Sequence, residues 1–132
     1  MRLANWRENL ESLVQSRQAQ PFGWGVSDCC LWAADVVLAI TGRDPMAEYR
    51  GRYGTERGAL RVMRRQRIEA LVSERLGPQI SPRLAQPGDV GVIDGGKWPA
   101  LVARVGGCWM AQGAHGLVVI EPSRVHAAWR CA

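Results

Sequence analysis

A chain of 132 residues is long enough for one compact domain with a buried core. Its formal charge of +5 and pI near 9.6 direct it toward acidic surfaces or phosphate backbones, and it has no run of about 18 apolar residues with which to cross a membrane. All but one of the seventeen basic residues are arginines, Lys97 being the exception.

Leu3, Trp6, Leu10, Leu13 and Val14 recur at helical spacing and predict a helix from about residue 2 to 17, with Arg7 and Glu11 on its outer side. Such a start reads as an amphipathic helix rather than a signal peptide, so cytosolic synthesis is expected. Pro21 ends the connector that follows the helix, and Phe22-Gly23-Trp24-Gly25 is a tight turn segment. Ser27 or Asp28 then caps a second helix that runs from Cys29 to Ile40 and is apolar nearly all round. A helix of that kind belongs at the centre of a core, and Gly42 followed by Pro45 stops it.

Met46 to Tyr53 predicts a short helical turn and a loop. Thr55 caps a third helix through Met63, with Arg57, Arg61, Arg64 and Arg65 toward its outer face. A fourth helix spans about Ile68 to Leu76. After residue 80 the period changes. Asp89–Ile93, Ala100–Val105, Cys108–Ala111, Leu117–Ile120 and Ala127–Cys131 are short, β-rich and separated by glycines, which predicts four or five antiparallel strands in a small curled sheet. The expected architecture is α+β in a single domain over residues 1–132, with N-terminal helices over 1–80, the central buried helix packed on the sheet, and the sheet over 81–132.

Four cysteines, Cys29, Cys30, Cys108 and Cys131, lack the paired spacing of a zinc site, so neither a metal nor a cofactor is expected. Cys29 and Cys30 open the second helix, where free N–H groups and the helix dipole stabilise a thiolate. The same place suits two inert buried thiols, and Cys30 reads as a small core residue. Asp28 reads as the cap and Asp89 as a carboxylate holding backbone at the entry to a strand. Trp24 and Trp32 are expected at the helix–sheet junction, and Trp98, in a Gly-rich turn beside Lys97, is the aromatic best placed for an exposed contact. The arginines from Arg57 to Arg65 read as a solvated face or as a docking face. No aromatic residues are interleaved with them, which argues against nucleic acid.

Trp24-Gly25-Val26-Ser27-Asp28-Cys29 opening a helix, followed later by Pro87-Gly88-Asp89-Val90 and a small sheet, resembles the NlpC-type cysteine peptidases of the papain-like superfamily. More closely, the chain is similar to the small phage, prophage and gene-transfer-agent tail proteins related to them. Asp44-Pro45, Arg50-Gly51-Arg52-Tyr53 and Thr55-Glu56-Arg57-Gly58-Ala59 share that look, and the resemblance covers about two thirds of the chain, from Pro21 to Ile120. It implies a papain-like fold with Cys29 at the nucleophile position, Asp28 beside it and a histidine opening the second core strand. Here that strand reads Pro99-Ala100-Leu101-Val102, so Ala100 or its neighbour holds the histidine position. An alanine accepts no proton, and loss of a positioned acid/base costs about 10²–10⁴ in rate.

The resemblance therefore implies a degenerate peptidase domain without hydrolase activity, serving as a structural or assembly component of a phage-type tail, at the tail tip. Its partners would be other tail proteins, its place the virion tail after synthesis in a bacterial cytoplasm, with no membrane contact. Two alternatives stay open. One is an active peptidoglycan-cleaving peptidase or amidase with Cys29 as nucleophile and His115 or His126 recruited as base. The other is a basic nucleic-acid-binding module that uses the Arg57 to Arg67 face.

Overall fold

The computed structural model describes all residues from Met1 to Ala132. Four α-helices precede a six-stranded antiparallel sheet: α1 Trp6–Arg17, α2 Cys29–Thr41, α3 Glu56–Val62, α4 Ile68–Leu76, β1 Gln79–Ile80, β2 Val90–Asp94, β3 Pro99–Val105, β4 Cys108–Gln112, β5 Leu117–Ile120 and β6 Ala127–Trp129. The strands lie in the order β1-β6-β2-β3-β4-β5, and the sheet is open. The fold is α+β, and no helix is long and apolar enough to cross a membrane.

The apolar sequence of α2 decides the packing. Leu31, Trp32, Val36, Val37 and Ile40 are buried, and so are Cys30, Ala33 and Ala34 on other sides of the helix. It is enclosed by α1 and the sheet, where the Trp32 indole N–H donates to the Met110 carbonyl at 2.9 Å. One face of the sheet supplies Val90, Val92, Leu101, Ala103, Ala127 and Trp129 to this core. The other face carries a second, smaller core of Ile93, Val102, Trp109, Ala111, Ile120, Val125 and Ala128. Gly91 makes that second layer possible, because a Cβ there would lie 2.8 Å from Val125 and 2.9 Å from the Trp109 ring.

The structure corrects the expected boundaries in three places. The first helix starts at Trp6 rather than near residue 2; ahead of it the Leu3 backbone N–H donates to the Ile40 carbonyl at 2.7 Å and tethers the chain to the end of α2. The sheet has six strands, and its first, β1, lies before residue 81; only its pairing with β6 makes those two residues a strand. The last strand stops at Trp129 because Asp89 captures the chain beyond it. Its carboxylate accepts from the Cys131 backbone N–H and the Arg130 guanidinium, each at 3.0 Å, and from Gln86 N–H at 2.8 Å.

An ion-pair network absent from the sequence expectations joins α1 to α2. Arg17 is buried and pairs with Asp35, the only charged residue of α2, while Arg50 bridges Asp35 and Asp44 at 2.5 Å each. The Arg17 guanidinium also lies 5.7 Å from the Trp32 ring centroid.

Burial pushes the Cys131 thiol up to about 11. In the unfolded chain a thiol ionises near 8.5, so this contribution to stability is fully present below that value and is lost as pH rises through about 11. Thermal melts across this range should show stability falling with alkalinity, with a shallower fall in Cys131→Ala. An unchanged slope would contradict the assignment.

Candidate site at the start of the second helix

Gly25, Asp28 and Tyr53 build the entrance to α2. Gly25 adopts φ +77, and a Cβ there would lie 2.1 Å from the Tyr53 carbonyl, so only glycine lets the connector cross the Tyr53 backbone. Asp28 is fully buried and caps α2 by accepting from Leu31 N–H at 2.9 Å. Its other oxygen accepts from Gly25 N–H at 2.9 Å and from the Tyr53 hydroxyl at 2.7 Å. Burial, with the Asp28 hydrogen bond behind it, holds the Tyr53 phenol far above its usual range, so it stays a donor. Ser27, the other cap candidate, instead donates to the Pro21 carbonyl at 2.5 Å.

Cys29 follows at the first position of α2, half-buried, while Cys30 is buried in the main core. The Cys29 thiol is lowered from its ordinary value, first by the neighbouring Cys30 thiol and also by the Leu101 backbone N–H; burial and the Asp28 charge oppose this. Cys30 is driven the other way by its hydrogen bond to Cys29, by burial, and by the charges of Cys29 and Asp28.

The Leu101 backbone is free to meet Cys29 for a topological reason. The β3–β4 ladder is registered only over Ala103–Val105, so β3 is unpaired on that side near its start. The chain thus brings the Ala100–Leu101 peptide to the Cys29 sulfur. Ala100 itself packs with Ile80 and Ala85 against the smaller core, whereas Leu101 faces the helices. The side chain that β3 sends toward α2 here is therefore leucine.

His115 is exposed near the tip of the β4–β5 hairpin, and His126 is exposed just before β6. Neither imidazole is among the groups acting on Cys29. The hairpin does reach the connector ahead of α2, where the Ala114 carbonyl accepts from Phe22 N–H at 3.0 Å and Leu117 N–H donates to the Gln18 carbonyl at 3.2 Å. Trp24 packs edge-on against Phe22 with centroids 5.0 Å apart, and it is Trp32 that spans the helix–sheet junction by hydrogen bonding.

Trp98 is 42% exposed, with Lys97 over its ring. Hydrogen bonds from Lys97 and Trp98 lower the Glu56 carboxyl, which ties the β2–β3 turn to the start of α3. Arg57, Arg61, Arg64 and Arg65 are brought together around Leu60 in one surface recess that Cys29 does not line. Tyr53 and Leu101 are the site residues that sequence reasoning missed. Tyr53 lay in a stretch without periodicity, and Leu101 acts through its backbone.

Chemically, this is a thiol whose anion is favoured by a helix start, a second thiol and a backbone N–H. Iodoacetamide at neutral pH is expected to label Cys29 while Cys30 and Cys131 stay unmodified, as read by peptide mass spectrometry. Labelling of Cys30 in preference to Cys29 would contradict the assigned directions.

The chain matches the family described as Domain of unknown function (DUF6950) over residues 1–131, and it belongs to that family. No curated protein and no solved structure matches it.

Proposed function

We propose that this DUF6950 chain is a structural component of a phage-type tail, placed at the tail tip after synthesis in a bacterial cytoplasm, and built on a papain-like domain that no longer turns over peptide bonds. The observation that carries the catalytic half of this reading is the set of groups around Cys29. Its neighbours are the Cys30 thiol, the Leu101 N–H and the Asp28 carboxylate, and that carboxylate is committed to Leu31, Gly25 and Tyr53. Amide cleavage needs a group that takes the thiol proton and returns one to the leaving amine. Ala100, at the position where the resemblance would put an imidazole, packs against the smaller core, and its neighbour Leu101, which faces the helices, carries no base either.

The tail placement rests on the resemblance of the Trp24–Cys29 and Pro87–Val90 motifs to tail-associated relatives of the NlpC-type peptidases. Mass spectrometry of purified tail particles tests it. The reading expects this chain in the particle, cross-linked to other tail-tip proteins; a particle that assembles fully and infects without it would overturn the assignment.

One observation favours a second reading, an active peptidoglycan hydrolase. The lowered Cys29 thiol is the ionisation a nucleophile needs. That reading requires His115 or another base to move to the sulfur when substrate binds.

A further inference from the structure

We infer that the recess formed by Arg57, Arg61, Arg64 and Arg65 is a docking site for a carboxylate-rich segment of a partner protein. The inference uses none of the residues around Cys29 and does not depend on the tail assignment.

The four guanidinium groups are exposed, and none forms an ion pair or side-chain hydrogen bond within the chain. The buried and half-buried arginines Arg17, Arg50, Arg75 and Arg130 are held by carboxylates, Arg17 by Asp35, Arg50 by Asp35 and Asp44, Arg75 by Glu48 and Arg130 by Asp89, whereas the four of the recess, adjacent to one another, have none. The acid next in sequence to the cluster, Glu56, is held by Lys97 at 3.0 Å. Four like charges are thus gathered with nothing in the chain to offset their repulsion.

The backbone adds a second, independent observation. Arg64 and Arg65 are the two non-glycine residues with positive φ, at 58° and 54°. Successive left-handed residues are where glycine or asparagine is favoured, and side chains held there are strained. The turn is closed by Arg65 N–H on the Leu60 carbonyl at 2.8 Å and Arg64 N–H on the Arg61 carbonyl at 3.1 Å, which folds the two arginines back beside Arg57 and Arg61. Strain and unscreened charge converge on one recess, and an external polyanion relieves the repulsion.

Its form favours an acidic protein segment over nucleic acid. The recess of about 510 Å³ has room for several anionic groups, yet it is lined only by one short helix and its C-terminal turn. It does not extend as a stripe along a groove, and its only apolar lining residue is Leu60, with no aromatic face on which to stack a base. Arginine forks pair with carboxylates in bidentate geometry. A second copy of this chain, at +5, is repelled from the patch, so the partner is a different, acidic protein.

Fluorescence anisotropy with a labelled oligoglutamate peptide and a DNA duplex of matched charge tests the inference at near-physiological salt. Wild type is expected to bind the peptide more tightly than the duplex, and R57Q/R61Q/R64Q/R65Q to lose about tenfold or more in peptide affinity. R64G/R65G is expected to melt at a higher temperature than wild type while binding the peptide less well, because it removes strain and charge together. Tighter binding to the duplex, no binding of the peptide by wild type, or peptide affinity unchanged in either variant would overturn it. A melting temperature in R64G/R65G at or below that of wild type would remove the strain argument and, with it, the inference.

Discussion

Asp35→Ala is expected to lower folding stability by about 3–5 kcal/mol, the usual cost of leaving one partner of a buried ion pair uncompensated. Arg17 is only 5% exposed, and its Nε and one terminal nitrogen already lack partners, so the bond to Asp35 is its main compensation for burial. The same substitution releases Arg50 from one of its two carboxylates. For a domain of this size the loss corresponds to a fall in Tm of roughly 10–20 °C. The double variant Arg17→Met/Asp35→Leu separates charge from packing. If the cost is that of a stranded cation, the pair of apolar side chains recovers most of the stability; if Asp35→Ala melts within a degree or two of wild type, the network has been misread.

Asp28→Ala is expected to cost about 3 kcal/mol, because it strands three donors at once. Leu31 N–H loses its helix cap, Gly25 N–H loses the bond that fixes the connector, and the Tyr53 hydroxyl loses its acceptor. Tyr53→Phe removes one of those donors along with its bond and should cost about 1 kcal/mol. The ordering of the two variants in urea melts is the check. Equal losses would mean that the Tyr53 bond, rather than the cap, carries the effect. Asp28→Asn, which keeps one acceptor for the cap, should fall between them.

The parts of this fold that were legible in the sequence are those written in local signals. The second helix could be read because an apolar run is bounded by Ser27-Asp28 and Gly42, and the fourth because its run closes at Gly77-Pro78. Thr55 as a cap and Asp89 as a backbone acceptor follow from the same chemistry. What was not legible depends on residues far apart in the chain. β1 is two residues long and exists only through β6. Arg17 and Asp35 meet across two helices, although one charge in an otherwise apolar helix was a usable signal that something had to pair with it. The strand is apolar on both faces from Pro99 to Ala103, so alternation there could not show that Leu101 rather than Ala100 turns toward α2. Tyr53 reaches Asp28 from 25 residues away, out of a segment with no period to read.

The Trp24–Cys30 stretch shows how one motif divides between structure and chemistry. Its glycine crossing, cap and tyrosine bond are fully employed in holding α2 against the sheet. The Cys29 thiol is left with an environment that favours its anion and with no imidazole acting on it. On the proposed reading a site of this kind reacts with a strong electrophile but does not complete amide cleavage, which also needs an acid for the leaving amine.

The most direct measurement is turnover of purified peptidoglycan fragments by the whole chain, compared with Cys29→Ala and followed by release of new amino groups. The account predicts no turnover above buffer in either protein across neutral pH, while wild type still takes up one alkylating group at Cys29. Cleavage by wild type that disappears in Cys29→Ala would contradict it and restore a working peptidase.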